Sequence, residues 1–440
     1  MKVIKKTFIA ILVSFFACLI FFNVPINKSY GYKHKKHKNI IRKKIVNVLS
    51  LGILIKNSLK NPNITSSVLK TEGQKEEIII AKALPEPVIG FGITDANGFN
   101  NPEIGINAMS DIGFSISQMI PFPSKLATKS QINKYSYKSF REKTQVLKVN
   151  MVYLVKAEYY NLALIEEQIR IIKYNGMLLK IIIGHISQKY GVGKASAPTY
   201  IRAMLEDSSL KASLFSLDKA KSRLIYLLSE LTGLKESLIK SKTAILPWIK
   251  EVKSSRLKYK TMLREAFKFN PNLKSLKYLH KKSNKELDFA KESYLPDFYL
   301  KAGYGDRYSM VPVLSASVGL SLPIYFNTYQ APLINKAKKD KLSSIYNISW
   351  EKLRIIKNIK VALKNMKEDY NNYRLYKTLY VPEARLLFKS ELSSFRVQKT
   401  TGFSLLDSFK KLVDSEFEKD IYKSKYFKDK SHLELVIGRI

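Results

Sequence analysis

Residues 111–126 read DIGFSISQMIPFPSKL, and their alternation decides the fold. Ile112, Phe114 and Ile116 alternate with Gly113, Ser115 and Ser117. A period of two gives a strand with one apolar face and one face of small polar residues. Pro121 and Pro123 end the strand, because proline cannot keep donating to a ladder. Ser124 is then read as the N-cap of a helix starting at Lys125.

The pattern returns about 200 residues later. In VLSASVGLSLPIYF (313–326), Leu314, Ala316, Val318, Leu320 and Leu322 face one way, with Ser315, Ser317, Gly319 and Ser321 opposite, before Pro323. Each copy has an upstream partner. Ile89, Phe91 and Ile93 follow LPEP, with Pro85 and Pro87; Phe298, Leu300, Ala302 and Tyr304 follow Leu295-Pro296. The sequence therefore predicts two β-hairpins, spanning 84–122 and 296–324. A half-buried hairpin of a soluble α+β protein is the plain alternative. Such a protein's solvated face would carry more Lys, Glu and Thr than this Gly/Ser face does. A ten-residue strand spans roughly 33 Å, and when tilted it covers the ~25 Å apolar band of an outer-membrane barrel. Four strands cannot close such a barrel, since about eight is the smallest. Strands that cross a bilayer here must share one barrel among several chains.

Composition narrows the class. The 440 residues carry 76 Lys and Arg against 36 Asp and Glu, a net charge of +40. Only 13 of the cations are Arg, Lys is spread from end to end, and no zinc or RNP-like pattern accompanies them, so nucleic-acid binding is disfavoured. The charge instead favours anionic headgroups or solutes, or reflects a lysine-rich composition bias. The single cysteine, Cys18, lies in the leader, which excludes a disulfide framework or Cys-based metal site downstream.

Residues 1–31 read as a secretory signal: Lys2, Lys5 and Lys6, an apolar run Thr7–Phe22, then Ser29-Tyr30-Gly31. An uncleaved anchor is the other reading. No later stretch reaches eighteen apolar residues, the length that argues a helical span. A basic, then amphipathic segment (32–60) follows, with Ile40, Ile41, Ile45, Val48, Leu49 and Ile53. His34 and His37 sit among lysines that repel cations, so they read as a solvated tail.

The remainder is helical and repeated. Asn61-Pro62-Asn63-Ile64 and Asn270-Pro271-Asn272-Leu273 each open a helix leading to a Leu-Pro and a hairpin, dividing the chain into repeats at 61–265 and 266–440. From Met151, steps of four and three pass through Val155, Glu158, Leu162, Ile165, Ile169, Ile172, Gly176, Leu179, Ile183, Ile186 and Tyr190; only Glu158 and Gly176 are not apolar. Sixty-five residues of helix (125–189) would be about 97 Å long, too long for a globule. The rod turns at Tyr190-Gly191-Val192-Gly193, and a helix returns from Pro198 to Gly233, giving a coiled-coil hairpin over 125–233. A second hairpin over 328–432 carries a kink at Pro382 and turns at Phe395-Arg396-Val397-Gln398. The fold class is mainly α, with long coiled-coil hairpins and two β-hairpins in an internal two-fold repeat.

LPEP, SQMIPFPSK, YGVGK and FRVQKTTGFSLLDSF, in this order and duplicated, resemble the TolC-like outer-membrane efflux channels, over about residues 60–435. The LPEP and IPFPSK wording is most similar to the heavy-metal branch. The resemblance implies an outer-membrane homotrimer. Each protomer would give four strands to a twelve-strand barrel in the lipid and four helical strands to a periplasmic tunnel. It also implies partners: a periplasmic adaptor and, through it, an inner-membrane pump. The adaptor-contact turns would be Gly191, Val192, Gly193, Val397 and Gln398, and Pro85, Pro87, Pro121, Pro123, Pro296 and Pro323 would mark the strand–helix junctions. Relatives place two aspartates three apart on the second return helix, constricting the tip. The matching positions are Ser404 and Asp407, with Thr199 and Arg202 in the first repeat, so one acid is kept. An Asp407 ring would attract cations; a helix N-terminal acid stabilised by the macrodipole is the alternative. Gln398 and Ser124 stand where relatives carry glycine.

No catalytic, cofactor or metal site emerges. GVGK at 191–194 fails as a phosphate loop at Gln188 and Ala195, and GYGDRY at 303–308 lacks the second half of a dinucleotide loop. His185, His280 and His432 are isolated. The expected function is a passive export duct of metal-ion or drug type; the alternative is a secreted coiled-coil scaffold or adaptor without channel activity.

Overall fold

The computed structural model describes residues 48–94, 110–247, 249, 259–307 and 310–439. The leader, Cys18, His34 and His37 lie outside the described residues. The elements, in chain order, are α1 (Leu51–Ser58), α2 (Pro62–Ile80), β1 (Val88–Thr94), β2 (Asp111–Ile120), α3 (Pro123–Gly191), α4 (Ala197–Thr232), α5 (Glu236–Lys240), α6 (Tyr259–Phe269), α7 (Pro271–Lys291), β3 (Asp297–Arg307), β4 (Met310–Ser321), α8 (Ala331–Leu375), α9 (Val381–Arg396) and α10 (Gly402–Ile437).

The two hairpins join into one antiparallel sheet in the order β1-β2-β3-β4. Phe91 pairs with Phe114, Phe114 with Tyr304, and Tyr304 with Leu314, so these four share a face. Ile89, Ile116, Ala302 and Ala316 form the adjoining row. The opposite face carries Gly92, Gly113, Ser115, Gly303, Gly305 and Ser315. A Cβ at Gly113 would collide with the Tyr304 carbonyl, so a residue without a side chain is required there. The apolar face is uncovered: Phe91 is 85% and Leu314 83% exposed. Among the described residues the outer edges of β1 and β4 have no partner strand.

Two local readings change. The helix after β2 starts at Pro123 rather than Lys125, with Phe122 at the cap position, and the Ser124 hydroxyl is buried without a partner. Proline at the first helical position needs no N–H, which displaces Ser124 from the capping role. Strand β4 starts at Met310 and so includes Pro312, which falls where the β3–β4 register shifts between Gly305 and Arg307, a place in a strand that tolerates proline.

Below the sheet the helices form a row. α3, 69 residues and about 104 Å long, packs on one side against α2 and α4 and on the other against α7 and α10. α7 and α10 in turn pack against α8, and α10 against α9. Of the twelve seam positions read from the heptads, Met151, Val155, Leu162, Ile169, Ile172, Leu179 and Ile186 are buried. Leu49 and Leu54 of the N-terminal segment enter the core, whereas Ile53, expected on the same apolar face, points outward. The return helices α4 and α10 are 36 residues each, and both end on a left-handed glycine, Gly233 (φ 68°) and Gly438 (φ 86°).

Each return helix is continued by a short helix from elsewhere in the chain. Asn270 caps α7 by accepting from the Leu273 N–H (2.9 Å) and donates to the Val436 carbonyl at the end of α10 (2.8 Å). Asn61 caps α2 by accepting from the Asn63 N–H (2.9 Å) and donates to the Glu230 and Leu231 carbonyls of α4 (2.9 and 3.2 Å). One amide thus satisfies an orphan donor of one helix and an orphan acceptor of the next. The result is two head-to-tail rods lying beside the unbroken α3.

Pro382 does not simply kink its helix. A five-residue π-turn, Tyr376–Tyr380, precedes it, and a second, Phe326–Gln330, precedes Pro332. The wider turn accommodates the proline ring and its missing donor without ending the rod.

Replacing Asn270 by Ala is expected to cost ~1–2 kcal/mol, and Asn61 by Ala less, since Asn61 is less buried. Chemical denaturation followed by far-UV circular dichroism measures this, and equal, negligible losses would contradict the bridging role.

Candidate functional site: the paired helical turns

The two rods turn at one end of the bundle, and the turns share one geometry. Gly193 has φ 70° and Gln398 φ 62°. In the first turn the Gly193 N–H donates to the Tyr190 carbonyl (3.0 Å) and the Lys194 N–H to Lys189 (2.8 Å); in the second, Gln398 donates to Phe395 (3.3 Å) and Lys399 to Ser394 (2.9 Å). This is the helix-ending pattern that requires a left-handed residue. Gln398 therefore occupies the glycine conformation with a side chain that disfavours it, at a cost of about 1–2 kcal/mol.

Val192 and Val397, at equivalent places, are 68% and 64% exposed. Gly191, Gly193 and Gln398 are exposed beside them. The turns are tied together. The Lys189 ammonium donates to the Phe395 carbonyl and stands 4.1 Å from the centre of the Phe395 ring. Tyr190 stacks on Tyr200 with centroids 5.8 Å apart. Gly402 lies against the Thr199 methyl so closely that a Cβ would clash.

The four gate candidates fall into two equivalent pairs. Thr199 shares a hydrogen bond with Ser196 (3.0 Å) at the start of α4, and Ser404 one with Thr401 (3.1 Å) at the start of α10. One turn further, Arg202 is exposed, its guanidinium 5.0 Å from the Phe403 ring, and Asp407 is exposed and paired with Lys411 at 2.7 Å. The structure brings Arg202 into contact with the second turn through Phe403. The six junction prolines lie apart from this tip, flanking the strands.

A second concentration of charge was not legible in the sequence. Midway along the bundle, burial pushes Asp369 of α8 up to about 7, and the neighbouring carboxyl of Asp429 on α10 adds to the shift. Burial holds His432 below its ordinary value; its ring packs edge-on against Tyr153, centroids 5.7 Å apart. Further towards the tip, burial raises Asp420, while the hydrogen bond from Arg170 lowers Glu167. The Asp369–Asp429 and Tyr153–His432 contacts link different helices and depend on inter-helix register, whereas Glu167 and Arg170 pair within α3 at a spacing of three. His280 meets Ser344 at 2.8 Å and joins α7 to α8. Among the described residues no group of three or more His, Cys, Asp or Glu is placed to hold a metal ion.

The Asp369 shift has a definite sign. An acid whose folded pKa is raised favours the folded state while protonated in both states, and that advantage is lost as pH climbs from about 4 to about 7. Asp369→Asn should therefore flatten the fall in stability across that window, with Tm against pH as the measurement. Superimposable profiles for variant and parent would refute it.

No family model and no curated protein matches the sequence. Solved structures do match. The outer-membrane channel OprN superposes with a TM-score of 0.76 at 14% identity, covering 88% of this chain and 89% of its own. The CmeC outer membrane channel of Campylobacter jejuni gives 0.74 at 14% identity, covering 95% and 94%. CusC, described in the context of transmembrane channel formation, gives 0.74 at 13% identity, covering 89% and 92%. The chain has the TolC-like fold. The sequence resemblance to that architecture, drawn from motif order, is thus met by the three-dimensional structure.

Proposed function

We propose that the chain is the outer-membrane channel of a tripartite efflux system, a homotrimer that forms a passive duct from periplasm to exterior. One observation carries the reading: the protomer is an open strip. Among the described residues its sheet has two free edges, and its row of helices ends at α2 and α4 on one side and at α8 on the other. Large apolar side chains are exposed on both ends of the row, including Ile79, Phe215 and Tyr226 on one and Tyr346, Trp350 and Leu353 on the other. Copies placed side by side join β4 to β1 and α8 to α2 and α4, and a ring of three gives twelve strands. Closed symmetry is the ordinary way such heterologous edges are satisfied. Once closed, the apolar face of the sheet needs lipid, and no helix among the described residues is long and apolar enough to cross a membrane.

Val192 and Val397, with their flanking Gly191, Gly193 and Gln398, form the surface offered to a periplasmic adaptor, which links the duct to an inner-membrane pump. The solved channels of this fold support the channel role for this chain. Selection between metal-ion and drug cargo rests largely with the pump. Ser404, Asp407, Thr199 and Arg202 line the mouth at the tip.

Extracted in detergent, the full chain is expected to have the mass of a trimer and to insert conductive pores into planar bilayers. A monomer that leaves bilayers silent would sink the reading and favour a coiled-coil scaffold.

A further inference from the structure

We infer that the mouth at the tip selects for anions, so that the duct favours solutes of net negative charge; this deepens the channel reading and rests on it. Residues 189–206 and 394–411 make up the two turns and the first turns of their return helices. They carry seven basic side chains, Lys189, Lys194, Arg202, Arg396, Lys399, Lys410 and Lys411, and two acids, Glu206 and Asp407. Asp407 is already paired with Lys411 at 2.7 Å. The place equivalent to Asp407 in the first repeat holds exposed Arg202. Of the next acids along the helices, Asp207 is paired with Lys211 (2.6 Å), while Glu391 accepts from the Thr400 hydroxyl (2.7 Å) and keeps its charge.

A ring of three protomers multiplies this imbalance at one narrow place. Like charges around a low-dielectric constriction raise the local concentration of the opposite ion and oppose their own sign. The helices nearer the sheet reinforce the field. Residues 62–80, 123–155, 271–291 and 331–362 hold 23 basic side chains against 8 acidic, whereas α10 is balanced at seven each. The resemblance-based expectation of a cation-attracting Asp407 ring is therefore opposed by the charges around it.

The test is the reversal potential of the full-length trimer in a planar bilayer under a KCl gradient near 0.1 M, where screening extends only to about 10 Å. Chloride should permeate better than potassium. Arg202→Asp should lower the chloride-to-potassium ratio, and Asp407→Asn should raise it. Lys194→Glu, on the exposed turn, serves the same purpose as Arg202→Asp if that variant fails to assemble. A parent channel that prefers potassium overturns this inference and leaves the channel reading standing. A ratio unmoved by both charge reversals overturns the assignment to the tip. Silent bilayers overturn the channel reading and this inference with it.

Discussion

The unsatisfied edges of a four-stranded sheet govern everything else in this molecule. Among the described residues its apolar face has no covering layer, and its two outer strands have no further partner. In hydrocarbon each unpaired N–H or C=O costs several kcal/mol, so an open sheet cannot rest there. In water the same sheet would expose Phe91, Ile93, Phe114, Leu314 and Val318 together, and such an edge is a template for aggregation. Closure with further copies removes both problems. The helices follow the same logic, because their row is open at the ends that continue from β1 and β4.

The repeated plan explains how such long rods are held straight. α3 is continuous, and each neighbouring rod is assembled from two helices joined through an asparagine. Asn270 and Asn61 do this at equivalent places, next to Gly438 and Gly233. The second repeat is less regular than the first. Its outer rod, α8 with α9, is interrupted by the π-turn before Pro382, and its turn places Gln398 where the first has Gly193. The first repeat accordingly has the continuous rod and the relaxed turn.

Much of this was legible in the residues. The period of two at 111–120 and 313–322 located the strands, and the four-three spacing from Met151 located the buried side of α3. Gly193 and Gln398 could be aligned by their neighbours before their shared backbone conformation was known. What escaped depended on contacts between distant segments. Asn61 and Asn270 were visible as helix starts, but their second partners lie about 170 residues away. Ser124 has the chemistry of a cap and lost the role to Pro123. The extension of β4 back through Pro312 depends on the register shift opposite it in β3. The Asp369–Asp429 pair, and the contact of Arg202 with Phe403, exist only because of the register between helices, which no local pattern encodes. The position of Asp407 is legible, and its pairing with Lys411 follows from a four-residue helical spacing.

The central claim is that one face of the sheet meets lipid and the other meets water. Single cysteines placed at Phe91, Phe114, Leu314 and Val318, and at Ser115, Ser315 and Ser317, can carry spin labels in reconstituted protein. The account predicts that the first set is relaxed by a lipid-soluble reagent and the second by a water-soluble one, alternating residue by residue along each strand. Equal access of the water-soluble reagent to both sets would contradict it.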